Sequence, residues 1–384
     1  MAKSRLHELS ERGVSVWIDS LSREWLQTGF LDKLIREDAV VGVTSNPTIF
    51  QKALAGGAWY DDQLRQLLAR SESALADSEP AQSVIGDEED PKEIFYRLAV
   101  TDIQDACDRL RPVWYGGDGK DGYVSMEVDP TLAYDQEQTI EEAMRLHEWI
   151  DRKNLFVKIP ATEPGLGAIE ECIARGRSIN VTLIFSLDRY AAVAEAYVRG
   201  LERLVEAGGD PVKVASVASF FVSRVDTEAD KRLEASGALE LRGKLAVANA
   251  KLAYQRYQEI FAGGRWEALA SRGATPQRCL WASTSTKNPD YRDVMYVEEL
   301  IGPETVNTMP AETIEAFQDH GVVADTLEQG LDEAHALLDQ LAEAGVDYDD
   351  VTDTLEREGV EKFSDSFEEL LDGIRAKRSE LAAA

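Results

Sequence analysis

Leu155-Phe156-Val157-Lys158-Ile159-Pro160 is a short apolar run with one charged amine at its centre. Its length and its aromatic and β-branched residues read as a buried strand. A lysine there has two readings. Either its methylenes lie on the core while the nitrogen reaches water, or burial shifts it toward the neutral amine that attacks a carbonyl, a Schiff-base nucleophile. The flanking chain has to choose between them.

On either side, short β-rich runs alternate with longer helical stretches. The runs cover 14–19, 40–46, 123–127, 155–160, 179–185, 214–221, 278–283 and 305–309. Eight strands separated by helices predict a parallel (β/α)8 TIM barrel rather than an open sheet. Stretches 191–205 and 241–260 place apolar residues at three- and four-residue intervals, as helices on the outside of a barrel do.

Two regions exceed a minimal barrel of about 250 residues. The first is a helical insertion after strand 2, at about 51–122, with a polar stretch at 71–91 read as a mobile loop and a helix over 92–110. The second is an acidic helical tail at about 324–384. In it Val360, Phe363, Phe367, Leu370 and Ile374 recur with helical period, which predicts a helix docked on the barrel. The final AKRSELAAA is expected to fray. No repeat or linker interrupts the chain, so residues 1–384 read as a single domain.

A net charge of −30 argues against nucleic acid or an anionic membrane as partner, because polyanions select basic surfaces. A few local cations can still hold a small anion, since distant charge is screened over about 8–10 Å. Cys107, Cys172 and Cys279 lack the paired spacing of a disulfide framework or a zinc site. Residues 1–16 lack the apolar core of a signal peptide, and no stretch approaches the roughly 18 apolar residues of a membrane span. A cytoplasmic protein is expected.

Barrel active sites lie at the C-terminal ends of the strands. Here those ends carry Asp19 from VSVWIDS, Asn46 from VGVTSNPT, Glu127 from YVSMEVDP, and Lys158 itself. INVTLIFS adds Asn180 and Thr182, ASFFVSRVD adds Ser219, Phe221 and Arg224, and LWASTSTKNP adds Ser283, Ser285 and Lys287. Strand alternation puts Asn180 with Thr182, Ser219 with Phe221, and Ser283 with Ser285 on shared faces. Each alone has a structural reading, such as Asp19 capping a helix. As an inward ring they cost stability that packing would not select, and that favours the nucleophile.

The residue types then suggest a chemistry. A neutral lysine adds to a ketone, and the resulting iminium is an electron sink for carbon–carbon cleavage. Asp19 and Glu127 are available as acid and base. Arg224, with its planar fork, and Lys287, a point charge, suit a phosphate.

With these residues in place the chain resembles the transaldolase family, within the class I Schiff-base aldolases. WIDS, TSNPTIF, MEVDP, VKIPAT, INVTLIFS, ASFFVSRVD and WASTSTKN occur in family order, with EGVEKFSDSFEELL in the tail, over about residues 12–375. No one motif is diagnostic; the ordered set is. The length and WASTSTKNP are similar to the longer bacterial subgroup.

The resemblance implies a cofactor-free, metal-free enzyme of the non-oxidative pentose phosphate pathway, a monomer or homodimer. It would move a dihydroxyacetone unit from sedoheptulose 7-phosphate or fructose 6-phosphate to glyceraldehyde 3-phosphate or erythrose 4-phosphate. It also implies Lys158 as Schiff-base residue, Asp19 as the base at the donor C4 hydroxyl, and Glu127 with a Thr182-held water for imine formation and hydrolysis. Asn46, Asn180 and Ser219 would bind hydroxyls, and Arg224 with Ser283 or Ser285 and Lys287 the phosphate. Strand 7 departs from the Ala-Ser-Phe-Arg of many shorter members, with Lys287 as the replacement for the arginine.

The nearest rival is a fructose 6-phosphate aldolase, which releases free dihydroxyacetone; that sister group has glutamine at Glu127 and tyrosine at Phe221. A non-catalytic sugar-phosphate-binding barrel has no use for Asp19, Glu127 and Lys158 together. The glycines of 116–122 precede a strand and read as a turn, not a nucleotide loop. Asp347, Asp349 and Asp353 fail as a calcium loop because Thr352 stands where glycine is needed. None of His7, His147, His320 and His335 falls at a strand end.

Overall fold

The computed structural model describes residues 4–67 and 90–382. The expected mobile loop at 71–91 therefore lies outside the described residues, save for its last two. Strands β1 (Val14–Ile18), β2 (Val40–Thr44), β3 (Tyr123–Glu127), β4 (Leu155–Pro160), β5 (Ile179–Ile184), β6 (Ser216–Phe221), β7 (Arg278–Ala282) and β8 (Thr305–Met309) close into one parallel barrel in chain order. The last ladder joins β8 back to β1, with Val14 opposite Thr305 and Ile18 opposite Met309. Every residue of β3, β4, β5 and β6 is buried, as parallel strands covered on both faces require.

The barrel interior is layered. Toward the N-terminal ends of the strands, Arg278 donates to Ser15 Oγ at 2.7 Å and to Asp121 at 2.9 Å. Above this lies an aromatic stack, with Tyr123 4.1 Å and Trp17 6.1 Å from Phe156 between ring centroids. Gly42 makes room for it, since a Cβ there would sit 2.4 Å from the Trp17 ring. This apolar plug leaves polar groups at the opposite end with nowhere to go but toward one another.

Several boundaries differ from the sequence expectation for local reasons. The helix expected at 92–110 runs Pro91–Gly116, because Asp90 caps the amide of Lys92 and Pro91 occupies the first turn, where its missing N–H costs nothing. The helix expected at 241–260 begins at Leu245. Before it Gly243, at φ +69, turns the chain and donates to Asp230 Oδ1. The tail forms helices Leu331–Glu343 and Tyr348–Ala382. Over 376–382 the expected fraying is corrected, for the helix continues to Ala382, and Lys377 Nζ holds it to Gly57 O and Asp61, each at 2.8 Å; the last two residues lie outside those described. Val360, Phe363, Phe367, Leu370 and Ile374 are all buried, so the docking face is as its periodicity predicts. Among the described residues no helix is long and apolar enough to cross a membrane.

Candidate active site

Lys158 stands in β4, Cα-paired with Glu127 of β3 on one side and Asn180 of β5 on the other. Its side chain is buried. The amine does not reach bulk water but donates to Ser45 O at 2.9 Å and faces Glu127 Oε2 at 3.3 Å. The snorkelling reading is thereby set aside.

Asp19 follows β1 directly and extends the ladder, its amide donating to Met309 O at 2.8 Å. Its Oδ1 accepts from Thr44 Oγ1 at 2.6 Å, and Thr44 Oγ1 also lies 2.6 Å from Thr308 Oγ1. Thr44 has one proton, so Thr308 donates to Thr44 and Thr44 to Asp19. Burial holds the Asp19 carboxyl above its ordinary range, against the pull of the Thr44 hydrogen bond and of Lys158 and Arg224. Burial likewise raises Glu127, against Lys158, with Asp19 adding to the rise. Two carboxyls with strengthened affinity for protons thus flank one amine.

A cavity of about 240 Å³ opens above these groups. Its lining takes in Asp19, Asn46, Lys158, Thr182, Ser219, Phe221, Arg224, Ser283, Ser285 and Lys287, ten of the expected residues. Thr182 is fully buried, and its Oγ1 has no hydrogen-bond partner among the described residues. Asn46 caps the helix Pro47–Ala55 by accepting from Ile49 N, which commits its oxygen and leaves its amide hydrogens for the cavity. Arg224 guanidinium Cζ lies over the Phe221 ring at 5.1 Å, and burial lowers its proton affinity.

Asn180 lies below the cavity, and the strand 7 pairing needs correction. Asn180 does not line the cavity. It donates to Ser125 Oγ at 3.1 Å and accepts from Ser219 Oγ at 2.7 Å, so it sits one layer deeper and orients Ser219. Strand β7 ends at Ala282, and Ser283 has φ +56, outside the extended region. Alternation therefore stops before Ser285. Ser283 Oγ pairs with Ser223 Oγ at 2.8 Å, while Ser285 accepts from Lys287 Nζ at 2.7 Å. A register shift beyond Val181 and a left-handed Leu183, at φ +58, likewise end the alternation of β5.

Thr44, Thr48, Lys52, Thr308, Glu312 and Phe363 also line the cavity. The first and fourth were open to the alternation argument, Thr44 lying two residues before Asn46 and Thr308 near the end of β8. Lys52 and Phe363 lie on helices, where no strand rule points.

The helix Ser223–Ser236, which carries Arg224, is anchored by two buried acids. Asp226 accepts from Ala246 N at 2.7 Å and Tyr296 OH at 2.9 Å, and Asp230 from Gly243 N at 2.8 Å and Tyr291 OH at 2.6 Å. Burial pushes Asp226 up from 3.8 to about 7. Between these values the native protein holds a proton that the unfolded chain has released. The stabilisation is therefore full below pH 3.8 and is lost as pH rises to about 7, on the order of 4 kcal/mol. Asp226→Asn is expected to gain stability relative to wild type between pH 4.5 and pH 8, measured by urea midpoints; identical slopes would contradict the assignment.

Among the described residues no group of three or more His, Cys, Asp or Glu side chains is placed to hold a metal ion. What the site offers is an amine with the Glu127 carboxyl against it, and the Asp19 carboxyl and cations lining one cavity at the C-terminal end of a barrel. That defines a (β/α)8 enzyme equipped for lysine imine chemistry. The family model described as Transaldolase/Fructose-6-phosphate aldolase matches residues 16–374, and the chain belongs to that family. A transaldolase of Acidothermus cellulolyticus is 56% identical over 368 residues, 95% of this chain and 94% of the relative. One of Parafrankia sp. is 53% identical over 382 residues, covering 98% and 99%, and one of Thermobifida fusca 52% identical over 375 residues, 97% of each. The chain is accordingly an enzyme that transfers aldehyde or ketone residues.

Proposed function

We propose that the cavity carries out the transaldolase reaction on sugar phosphates with Lys158 as nucleophile. The Lys158–Glu127 contact at 3.3 Å, with Lys158 and Asp19 lining one cavity, is the observation that carries this reading. Glu127 takes the proton from the amine, which adds to the C2 carbonyl of a ketose phosphate. The carbinolamine loses its hydroxyl as water, protonated by Glu127, with a water on Thr182 Oγ1 relaying protons. Asp19 then removes the C4 hydroxyl proton, the C3–C4 bond breaks into the iminium, and an aldose phosphate departs from the enamine. A second aldose phosphate accepts C3, Asp19 returns its proton, and hydrolysis frees Lys158.

Asn46 and Ser219, with Asn180 behind Ser219, meet the hydroxyls, and Arg224, Ser283, Ser285 and Lys287 the phosphate. Fructose 6-phosphate and sedoheptulose 7-phosphate are the proposed donors, erythrose 4-phosphate and glyceraldehyde 3-phosphate the acceptors. We read the whole chain as one domain, a cytoplasmic monomer or homodimer. Fructose 6-phosphate supplied with and without erythrose 4-phosphate tests the reading. Turnover is expected only with the acceptor; acceptor-independent release of dihydroxyacetone at a comparable rate would make the enzyme an aldolase.

A further inference from the structure

Arg224 makes no hydrogen bond and no ion pair with any described residue, yet two rings confine its guanidinium. Its Cζ lies 5.1 Å from the centroid of Phe221 and 5.6 Å from that of Phe363. Phe221 belongs to the same strand end. Phe363 comes from the C-terminal helix Tyr348–Ala382 and lines the cavity while itself buried. That helix is tied down on both sides of the mouth. Thr48 Oγ1, on the helix after β2, donates to Ser366 Oγ at 2.9 Å, and Arg232, on the helix after β6, donates to Thr354 Oγ1 at 3.3 Å and pairs with Asp350.

We propose that Phe363 is a positioning residue for phosphate recognition: its ring holds the Arg224 guanidinium so that the N–H edge faces the substrate phosphate. The proposal rests on the reading of Arg224 as a phosphate ligand. A free arginine side chain loses several rotors when it binds, and a face held against rings removes part of that loss while leaving the fork open to two phosphate oxygens. Ring contacts to a partly desolvated guanidinium are of a size to change affinity about 3- to 30-fold.

The test uses the full-length enzyme and two ketoses, fructose 6-phosphate and fructose, each titrated for borohydride trapping on Lys158, with inhibition by inorganic phosphate as a third measurement. Phe363→Leu keeps apolar volume and removes the π-face. It is expected to raise the half-saturating fructose 6-phosphate concentration and the phosphate inhibition constant about 3- to 30-fold, with the value for fructose and the saturated trapping rate unchanged, as loss of uniform binding requires. Phe363→Tyr should restore wild-type behaviour. Leu370→Ala loosens the same helix from a buried position outside the cavity and should leave the phosphate preference intact. An equal loss in Leu370→Ala, or a loss shared by both sugars, would overturn the role of the ring. If Arg224→Ala abolishes the phosphate preference while Phe363→Leu retains it, only the positioning proposal falls. If Arg224→Ala retains it, the phosphate reading and the proposal fall together.

Discussion

Lys158→Ala is expected to reduce transaldolase turnover by at least about 10⁴-fold, the scale on which loss of a covalent nucleophile is felt. The site offers no substitute, because Lys52 and Lys287 line the rim of the cavity whereas Lys158 alone faces Glu127, at 3.3 Å. Borohydride with fructose 6-phosphate should add the three-carbon unit to the wild-type peptide containing Lys158 and to nothing in the variant. An adduct elsewhere, or turnover within about tenfold of wild type, would remove Lys158 from the mechanism. Loss of fold is separable. The variant leaves Glu127 buried without its cation, but burial already raises that carboxyl, and a protonated glutamic acid needs no counter-ion. Its circular dichroism should match wild type near neutral pH.

The barrel was legible in the sequence because parallel strands covered on both faces must be short apolar runs, and punctuating helices give them a period. β3, β4 and β8 fall at the expected residues. The ring of site residues was legible for a related reason, since a polar side chain at the end of an apolar strand has no packing motive. Alternation failed where the backbone left the extended region, at Leu183 and Ser283, and it could not tell depth. Asn180 and Thr182 share a face, but only the second reaches the cavity. Tertiary neighbours set the rest. Phe363 looked like one more apolar residue of a docking stripe, and nothing local marks it as the one above Arg224. The net charge of −30 also conceals the site, where Asp19 and Glu127 are offset by Lys158 and Arg224 and two further lysines stand at the rim.

Asp19→Asn should separate the two halves of the chemistry. The amide oxygen can still accept from Thr44 Oγ1, so the local geometry survives, while the base is gone. Lys158 should still form the borohydride-trapped adduct with fructose 6-phosphate, whereas transfer to erythrose 4-phosphate should fall about 10²- to 10⁴-fold, the usual worth of a positioned base. Glu127→Gln should do the reverse, slowing adduct formation itself. Equal loss of both steps in Asp19→Asn would contradict its assignment to the cleavage step. The pH dependence follows from the direction of its shift. Burial raises Asp19 above 3.8, so the acid limb of kcat/KM, where the base form is lost, should lie above the ordinary aspartate range in wild type and vanish in Asp19→Asn. The same shift acts on stability with a definite sign. The native state binds a proton that the unfolded chain has lost, so stabilisation by Asp19 is full below pH 3.8 and is lost as pH rises through its raised native value. Asp19→Asn should therefore melt at a higher temperature than wild type at pH 7, an advantage that disappears below pH 3.8. A catalyst that keeps a poorly solvated carboxylate ready to accept a proton gives up that stability for it.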